Sequence, residues 1–159
     1  MKKAILYLII ISGTLCSCRD VLPFMPSGSI SDSLSSRQYP YAIFIVEGIV
    51  TDSLTQEPIK DLSVLLRMED PVTTNETGFY CAKTIAFPIS QEFRMIINAP
   101  GEGYNVSYPS DTQYIHFVLP TFDLTREEVR EFGPLFFGRA YLSINKPLVP
   151  LNYEWRRIW

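Results

Sequence analysis

The side chains that most often carry out chemistry are few in this sequence. Histidine occurs once, as His116, and the three cysteines are Cys16, Cys18 and Cys81. A catalytic imidazole needs a nucleophile or a metal partner around it, and a structural zinc ion needs four His or Cys ligands. None of the short motifs of metalloproteases, hydrolases or phosphate-binding loops occurs. The sequence therefore predicts that the chain is not an enzyme and holds no metal or cofactor.

Carboxylates do occur in groups. Glu69 and Asp70 are adjacent, and Glu127, Glu128 and Glu131 lie within a short helical segment. Two carboxylates can hydrolyse a glycosidic bond when a cleft holds them about 5 to 9.5 Å apart. Neighbouring residues on one helix define no such cleft, so we interpret the helical carboxylates as a solvated face.

The clearest chemical signal lies at the N-terminus. Lys2 and Lys3 precede a compact apolar run over residues 4–11, which is the order of a secretory signal. A membrane-spanning helix would need roughly 20 apolar residues, and this run is shorter. We therefore predict that residues 1–17 are a signal peptide.

This segment ends in the motif Leu15-Cys16-Ser17-Cys18. The motif resembles the lipobox of bacterial lipoproteins, in which the cysteine becomes the mature N-terminus. The resemblance implies cleavage after Ser17, a diacylglyceryl group on the Cys18 sulfur, and acylation of the new amine with a fatty acid such as palmitate. Arg19 stands where a retention aspartate would favour the inner membrane, so the resemblance favours the outer membrane. The predicted location is the cell envelope, with the lipid as the membrane partner.

The cysteine count has a structural consequence. Cleavage would remove Cys16, lipid would occupy Cys18, and Cys81 would remain as the last cysteine of the mature chain. We therefore expect no intramolecular disulfide there, although an exported location would permit one. Cys81 follows Tyr80 in an apolar segment, which predicts a buried, inert thiol.

Composition indicates one globular domain with additional chain. The 159 residues are 47% hydrophobic, and the formal net charge of −3 provides no basic stripe for nucleic acid. Residues 18–39 are rich in Ser, Pro and Gly and cannot bury enough apolar surface to offset their ordering entropy. We therefore predict that they form a flexible tether. About 20 flexible residues have an r.m.s. reach of roughly 25 Å.

The body of the chain has the pattern of an all-β domain. Short segments rich in β-branched and aromatic residues recur between turn signals, without intervening helical periods. Strands are predicted at 41–51, 62–68, 78–85, 92–98 and 113–119, and a loop at 99–111. Such a series favours a sandwich over βαβ units.

Two motifs in this body resemble a known family. The first has Gly48, Val50, Asp52, Thr55, Pro58, Ile59 and Val64, and the second has Thr74, Asn75, Gly78 and Tyr80. Together they resemble the carboxypeptidase-regulatory-like, or transthyretin-like (prealbumin-like), domain. The resemblance implies a β-sandwich over residues 40–120 that serves stability, spacing or contact. The whole layout also resembles small lipoproteins found beside radical-SAM genes in Bacteroidota.

Residues 121–159 form a C-terminal extension that we expect to pack on the sandwich. Thr125 and Glu128 have the spacing of a capping box and predict a short helix that ends before Gly133. The aromatic residues that follow are expected to complete the core, with a last strand near residues 140–144. The alternative is an exposed aromatic patch for a partner or for the lipid interface.

Two serines match a modification pattern. Asp32-Ser33-Leu34 and Asp52-Ser53-Leu54 resemble the O-glycosylation acceptor of Bacteroidota. The resemblance makes Ser33, in the tether, and Ser53, in a turn, candidate acceptors.

These observations predict a lipid-anchored, non-catalytic structural or interaction module with an envelope protein or a glycan as its partner. One alternative is a glycan- or peptide-binding module that uses Tyr104, Tyr108, Trp155 and Trp159. The other is an accessory protein to a radical-SAM system that modifies peptides.

Overall fold

The computed structural model describes residues 38–151, which form eight strands and one short helix. The strands make two four-stranded sheets that pack face to face. The predicted all-β sandwich is therefore confirmed. The elements are β1 (Tyr41–Asp52), β2 (Ser63–Leu66), β3 (Val72–Thr73), β4 (Phe79–Ala86), β5 (Gln91–Ile97), β6 (Asp111–Phe117), α1 (Arg126–Phe132), β7 (Phe136–Ser143) and β8 (Lys146–Leu148).

The first sheet is built around β1. β4 pairs with it antiparallel on one edge, and β7 and then β8 pair with it parallel on the other. Alternate residues of β1 face the core, among them Phe44, Val46 and Val50, because successive side chains in a strand point to opposite faces. The strand is twelve residues long, so its ends lie about 35 Å apart at 3.3 Å per residue.

The second sheet is antiparallel, with the order β3-β2-β5-β6. Its inward residues follow the same alternation, with Phe93, Met95 and Ile97 from β5 and Ile115 and Phe117 from β6. The other face of β5 and β6 is largely exposed to solvent. This is the pattern expected of an antiparallel sheet with one wet face.

Aromatic rings fill the core between the sheets at one end. Phe44 of the first sheet makes edge-on contacts with Phe93, Phe117 and Phe122 at centroid distances of 5.0 to 5.8 Å. Such arrangements place the positive ring edge against the negative ring face. Phe122 lies in the predicted extension, so that segment contributes to the core.

The C-terminal elements are part of the first sheet. The capping box at Thr125 and Glu128 is present, and α1 ends at Phe132 with Gly133 as its cap. β7 then pairs along most of β1, and β8 extends the same edge. Residues 136–148 therefore belong to the sandwich itself.

Cys81 differs from expectation. It is half-buried on β4 and takes part in a disulfide, where a buried thiol was expected. The sequence offers Cys81 only Cys16 and Cys18 as partners. Cleavage after Ser17 would remove the first and lipidation would occupy the second, so this bond and the predicted mature chain exclude each other.

The one helix of residues 38–151, α1, lacks the length and apolar character needed to cross a bilayer.

Candidate functional site

The first motif forms a hydrogen-bonded turn after β1. The Asp52 carboxylate accepts hydrogen bonds from the backbone N–H groups of Leu54 and Thr55 at 2.7 and 3.1 Å. Its second oxygen accepts from the Tyr108 hydroxyl at 2.7 Å. These bonds favour the charged carboxylate, and they lower the pKa of Asp52, with the Tyr108 bond contributing most. Burial and the same contact raise the pKa of Tyr108 to about 12.

The second motif holds its own segment, which starts at Thr74, against the residues that follow that turn. The buried Thr74 hydroxyl donates to the Ile59 carbonyl at 2.7 Å and accepts from the Leu62 N–H at 2.9 Å. The Asn75 side chain accepts from the N–H groups of Thr77 and Phe79, which is the pattern of an Asx turn. The Thr74 and Asn75 side chains therefore satisfy backbone groups of this segment.

Glycine positions in the motifs permit close approach of the backbone. A Cβ at Gly48 would lie 1.8 Å from the carbonyl oxygen of Ile144, and one at Gly78 would lie 2.4 Å from that of Val50. Gly78 also has a φ of 70°, which favours glycine. The Tyr80 hydroxyl donates to the Ile144 carbonyl at 2.8 Å, so that oxygen is held directly over β1.

A buried asparagine organises the adjacent loop. The Asn98 side chain donates to the carbonyls of Asn105 and Tyr108 and accepts from the Asn105 N–H, all within 2.8 Å. Ser110 donates to the Asn98 carbonyl at 2.6 Å. We call the end of the sandwich formed by residues 48–62, 74–80 and 98–110 the motif end. Its buried side chains Asp52, Thr74 and Asn98 are hydrogen-bonded within the fold.

The remaining candidate residues for chemistry are dispersed. His116 and Glu92 face each other across β5 and β6, with His116 Nδ1 3.2 Å from the Glu92 carboxylate and both side chains exposed. Glu69 accepts a hydrogen bond from the Thr84 hydroxyl at 2.7 Å. Within residues 38–151, no three His, Cys, Asp or Glu side chains come together as a metal site.

Glu128 corrects the interpretation of the helical carboxylates as a solvated face. It is buried, caps the helix through Thr125, and pairs with Arg139 of β7. The Arg139 guanidinium also lies about 6 Å from the ring centroids of Phe132 and Phe136. Burial, together with the nearby charge of Arg139, lowers the pKa of Lys83 on β4. No local spacing in the sequence indicates the pair of Glu128 and Arg139, because its members lie on opposite sides of the Gly133-Pro134 turn.

The predicted modification sites are only partly within the structure. Ser17, Cys18 and Ser33 lie outside the described residues. Ser53 lies in the turn after β1, where its hydroxyl oxygen is buried and its N–H donates to the Leu148 carbonyl at 2.9 Å. A glycan could reach that oxygen only before the domain folds, and the acceptor role of Ser53 stays a prediction.

The proposed aromatic binding surface is also only partly within the structure. Tyr104 is exposed, but Tyr108 is half-buried against the core and its hydroxyl is bound to Asp52. Trp155 and Trp159 lie outside the described residues. The Tyr108 hydroxyl therefore contributes to the fold, and the aromatic binding surface stays a prediction.

A different surface lies at the opposite end of the sandwich. We call this the tether end, because residues 38–40 lead into β1 there. We call five of its exposed apolar side chains the apolar tip: Tyr39, Phe87, Ile89, Val118 and Leu119. They come from the segment before β1, the β4–β5 loop and the segment after β6. The sequence alone does not reveal them, because apolar residues in loops are expected in the core until the topology shows which of them face water.

Three solved structures that resemble this chain share little sequence with it. A protein of unknown function from Bacteroides fragilis, thought to be membrane-associated, is 13% identical over 72% of this chain and 30% of its own, with a TM-score of 0.40. A catechol 1,2-dioxygenase from Acinetobacter is 12% identical over 74% of this chain and 55% of its own, with a TM-score of 0.46. A DUF3823 family protein from Parabacteroides merdae is 14% identical over 70% of this chain and 47% of its own, with a TM-score of 0.27.

This chain spans about a third of the Bacteroides protein and about half of each of the other two. No protein-family model matches the sequence, and no curated protein is significantly similar to it.

The prediction that the chain is not an enzyme is contradicted by these neighbours. Dioxygenases are among them, so we correct the prediction: a β-sandwich is also a scaffold of enzymes. With identities of 12–16% and TM-scores of 0.40–0.46, the likeness gives this chain no activity and no cofactor.

Proposed function

We propose that the protein is a lipid-anchored lipoprotein of the bacterial cell envelope whose transthyretin-like β-sandwich acts as a structural or interaction module. The observation that carries this proposal is the order of a charged start, an apolar run and Leu15-Cys16-Ser17-Cys18 at the N-terminus. Arg19 after the cysteine favours the outer membrane. A chain attached at Cys18 needs no spanning helix.

The architecture of the described domain supports this arrangement. The chain enters the sandwich at residue 38, and about 20 residues separate that point from Cys18. Their reach of roughly 25 Å allows the domain to fold clear of the lipid. Because the motif end is closed by its own hydrogen bonds, the domain is built as a self-contained body.

The transthyretin-like assignment is supported by the behaviour of the motif residues. Asp52, Thr74, Asn75 and Gly78 hold one end of the sandwich together through backbone hydrogen bonds and close packing. Residues that form a family signature through the demands of the fold are expected to act in this way.

The test compares two cysteines of the same motif. The parent, Cys18→Ala and Cys16→Ala are expressed in a bacterium that processes lipoproteins, and each is fractionated and its N-terminal peptide weighed. Each buried methylene contributes about 0.8 kcal/mol, so loss of the acyl chains should move Cys18→Ala from the membrane to the soluble fraction. Cys16→Ala should remain lipidated and membrane-bound. A Cys18→Ala protein as membrane-bound as the parent would refute the anchor.

A further inference from the structure

The apolar tip is made by two loops without charge. Residues 86–91 and 117–122 contain no Asp, Glu, Lys or Arg. Phe87 and Ile89 project from the first loop, and Val118 and Leu119, which are 75% and 85% exposed, project from the second. Single exposed apolar residues are ordinary on a protein surface, whereas a contiguous set marks an interaction site.

One hydrogen bond joins the two loops, from the Leu119 N–H to the Ser90 hydroxyl at 2.9 Å. Within the first loop, the Ile89 N–H donates to the Phe87 carbonyl at 2.8 Å. Tyr39 places its ring 6.4 Å from that of Phe87. The tip is therefore a shaped surface that includes the first residues of the described chain.

Leu119 is exposed and has an uncommon backbone conformation. Leu119 has a φ of 45°, which lies in the left-handed region that glycine and asparagine adopt more easily than leucine. A strained and exposed leucine is poorly explained by stability. An observed backbone outlier of this kind points to a functional requirement.

The position of the tip indicates its partner. Tyr39, a member of the tip, lies 21 residues after Cys18, so the tip is the part of the domain nearest to where the chain leaves for the lipid. Uncharged aromatic and aliphatic side chains suit the boundary between headgroups and acyl chains. Because tethering holds the domain within roughly 25 Å of that boundary, even a weak affinity for lipid is effective.

We propose that the apolar tip rests in the lipid surface to which Cys18 anchors the chain, so that the sandwich stands on the membrane with its motif end pointing outward. This proposal rests on the proposed lipid anchor. It names the bilayer surface as the occupant of the tip and gives the domain a fixed orientation.

Two valines at opposite ends of the sandwich provide a matched test. Val118 lies in the tip, and Val106 lies in the loop at the motif end with an almost equal exposure of 76%. Val118→Trp and Val106→Trp are made separately in a full chain that carries Trp155→Phe and Trp159→Phe. Each protein is purified with its lipid and reconstituted into vesicles of phosphatidylethanolamine and phosphatidylglycerol, some with brominated acyl chains, which quench tryptophan at contact range.

We expect the V118W reporter to be quenched at least threefold more strongly than the V106W reporter. Adding Phe87→Ser and Leu119→Ser should reduce the quenching of V118W to the V106W level while the circular dichroism spectrum is unchanged. Equal quenching of the two reporters would overturn the proposal. So would an unquenched V118W reporter whose emission is shielded in a dimer or by a bound protein.

Mass spectrometry of the same samples separates the two proposals. Lipid on residue 18 together with equal quenching refutes the orientation and leaves the anchor standing. Absence of lipid on residue 18 refutes both, because the orientation depends on the anchor.

Discussion

The two ends of the sandwich are closed in different ways. At the motif end, Asp52, Thr74 and Asn98 are buried, and their side chains form hydrogen bonds with backbone groups. At the tether end, the uncharged loops leave Phe87 and Leu119 in water above an aromatic core. The residues that make a recognisable sequence pattern therefore serve stability. The surface that we propose for interaction is at the end where the sequence shows no motif.

The largest loss of stability is expected from a substitution that disturbs the close backbone packing at the motif end. Gly48→Ala would place a Cβ 1.8 Å from the Ile144 carbonyl oxygen, which the Tyr80 hydroxyl holds in place. Because that contact is with backbone, β1 or residue 144 must move, and we expect a loss of at least about 3 kcal/mol in the free energy of unfolding. Urea titration measures this loss.

Gly101→Ala is the control for the Gly48 substitution, because a Cβ there meets no atom within 4 Å. Its effect on stability should therefore come only from placing an alanine at a φ of 124°. If Gly48→Ala cost no more than Gly101→Ala, the motif end would be less closely packed than we describe.

A smaller loss of stability is expected when the buried hydrogen bonds of Thr74 are removed. Thr74→Val keeps the side-chain shape but leaves the Leu62 N–H and the Ile59 carbonyl without their partner. Buried unsatisfied groups of this kind destabilise a fold by about 2 kcal/mol. Thr73→Val, on the exposed neighbouring residue, should change the free energy of unfolding by less than about 0.5 kcal/mol. Equal effects of the two substitutions would contradict the assigned role of Thr74.

Acid should weaken the motif end through Asp52. Its pKa in the folded protein is below the ordinary value of 3.8, so it stabilises the fold above that pH and the contribution is lost as pH falls through the lowered pKa. Asp52→Asn removes this titration. We expect the parent to lose more stability than the variant between pH 5 and pH 2, as measured by urea titration across that range. Parallel curves for the two proteins would exclude Asp52 as the acid-sensitive group.

The smallest effect, at the tether end, has the opposite sign. Leu119→Asn replaces an exposed leucine at a φ of 45° with a residue that adopts this conformation more easily. We expect the free energy of unfolding to rise by about 0.5 kcal/mol, because little packing is lost. The lipid quenching of the V118W reporter should fall in the same variant. A clear destabilisation would show that Leu119 serves the fold, and the contrast between the two ends would then disappear.

The sequence predicted the parts of the fold that local pattern determines. β1 was found with its start at Tyr41 because it is long and β-branched, and α1 was found because Thr125 and Glu128 satisfy each other within one turn. β3 has two residues and β8 has three, including Pro147. Neither strand is long enough to show the alternation of apolar and polar residues from which a strand is predicted.

The missed features depend on contacts distant in sequence. Tyr108 reaches Asp52 across 56 positions, and no local spacing relates them. Glu128 was assigned to a solvated face because its partner Arg139 lies on the next element. The apolar tip joins three separate segments, and only the strand order brings them together.

The central place of β1 also governs how the domain can be made. β1 comes first in the described chain, yet one of its edges is covered only by β7 and β8, which end at Ser143 and Leu148. A polypeptide that emerges N-terminus first therefore carries a long apolar strand with an open edge until nearly all of the domain has followed. Such an edge is a template for pairing between chains. Truncation before residue 136 should consequently yield insoluble protein rather than a smaller domain.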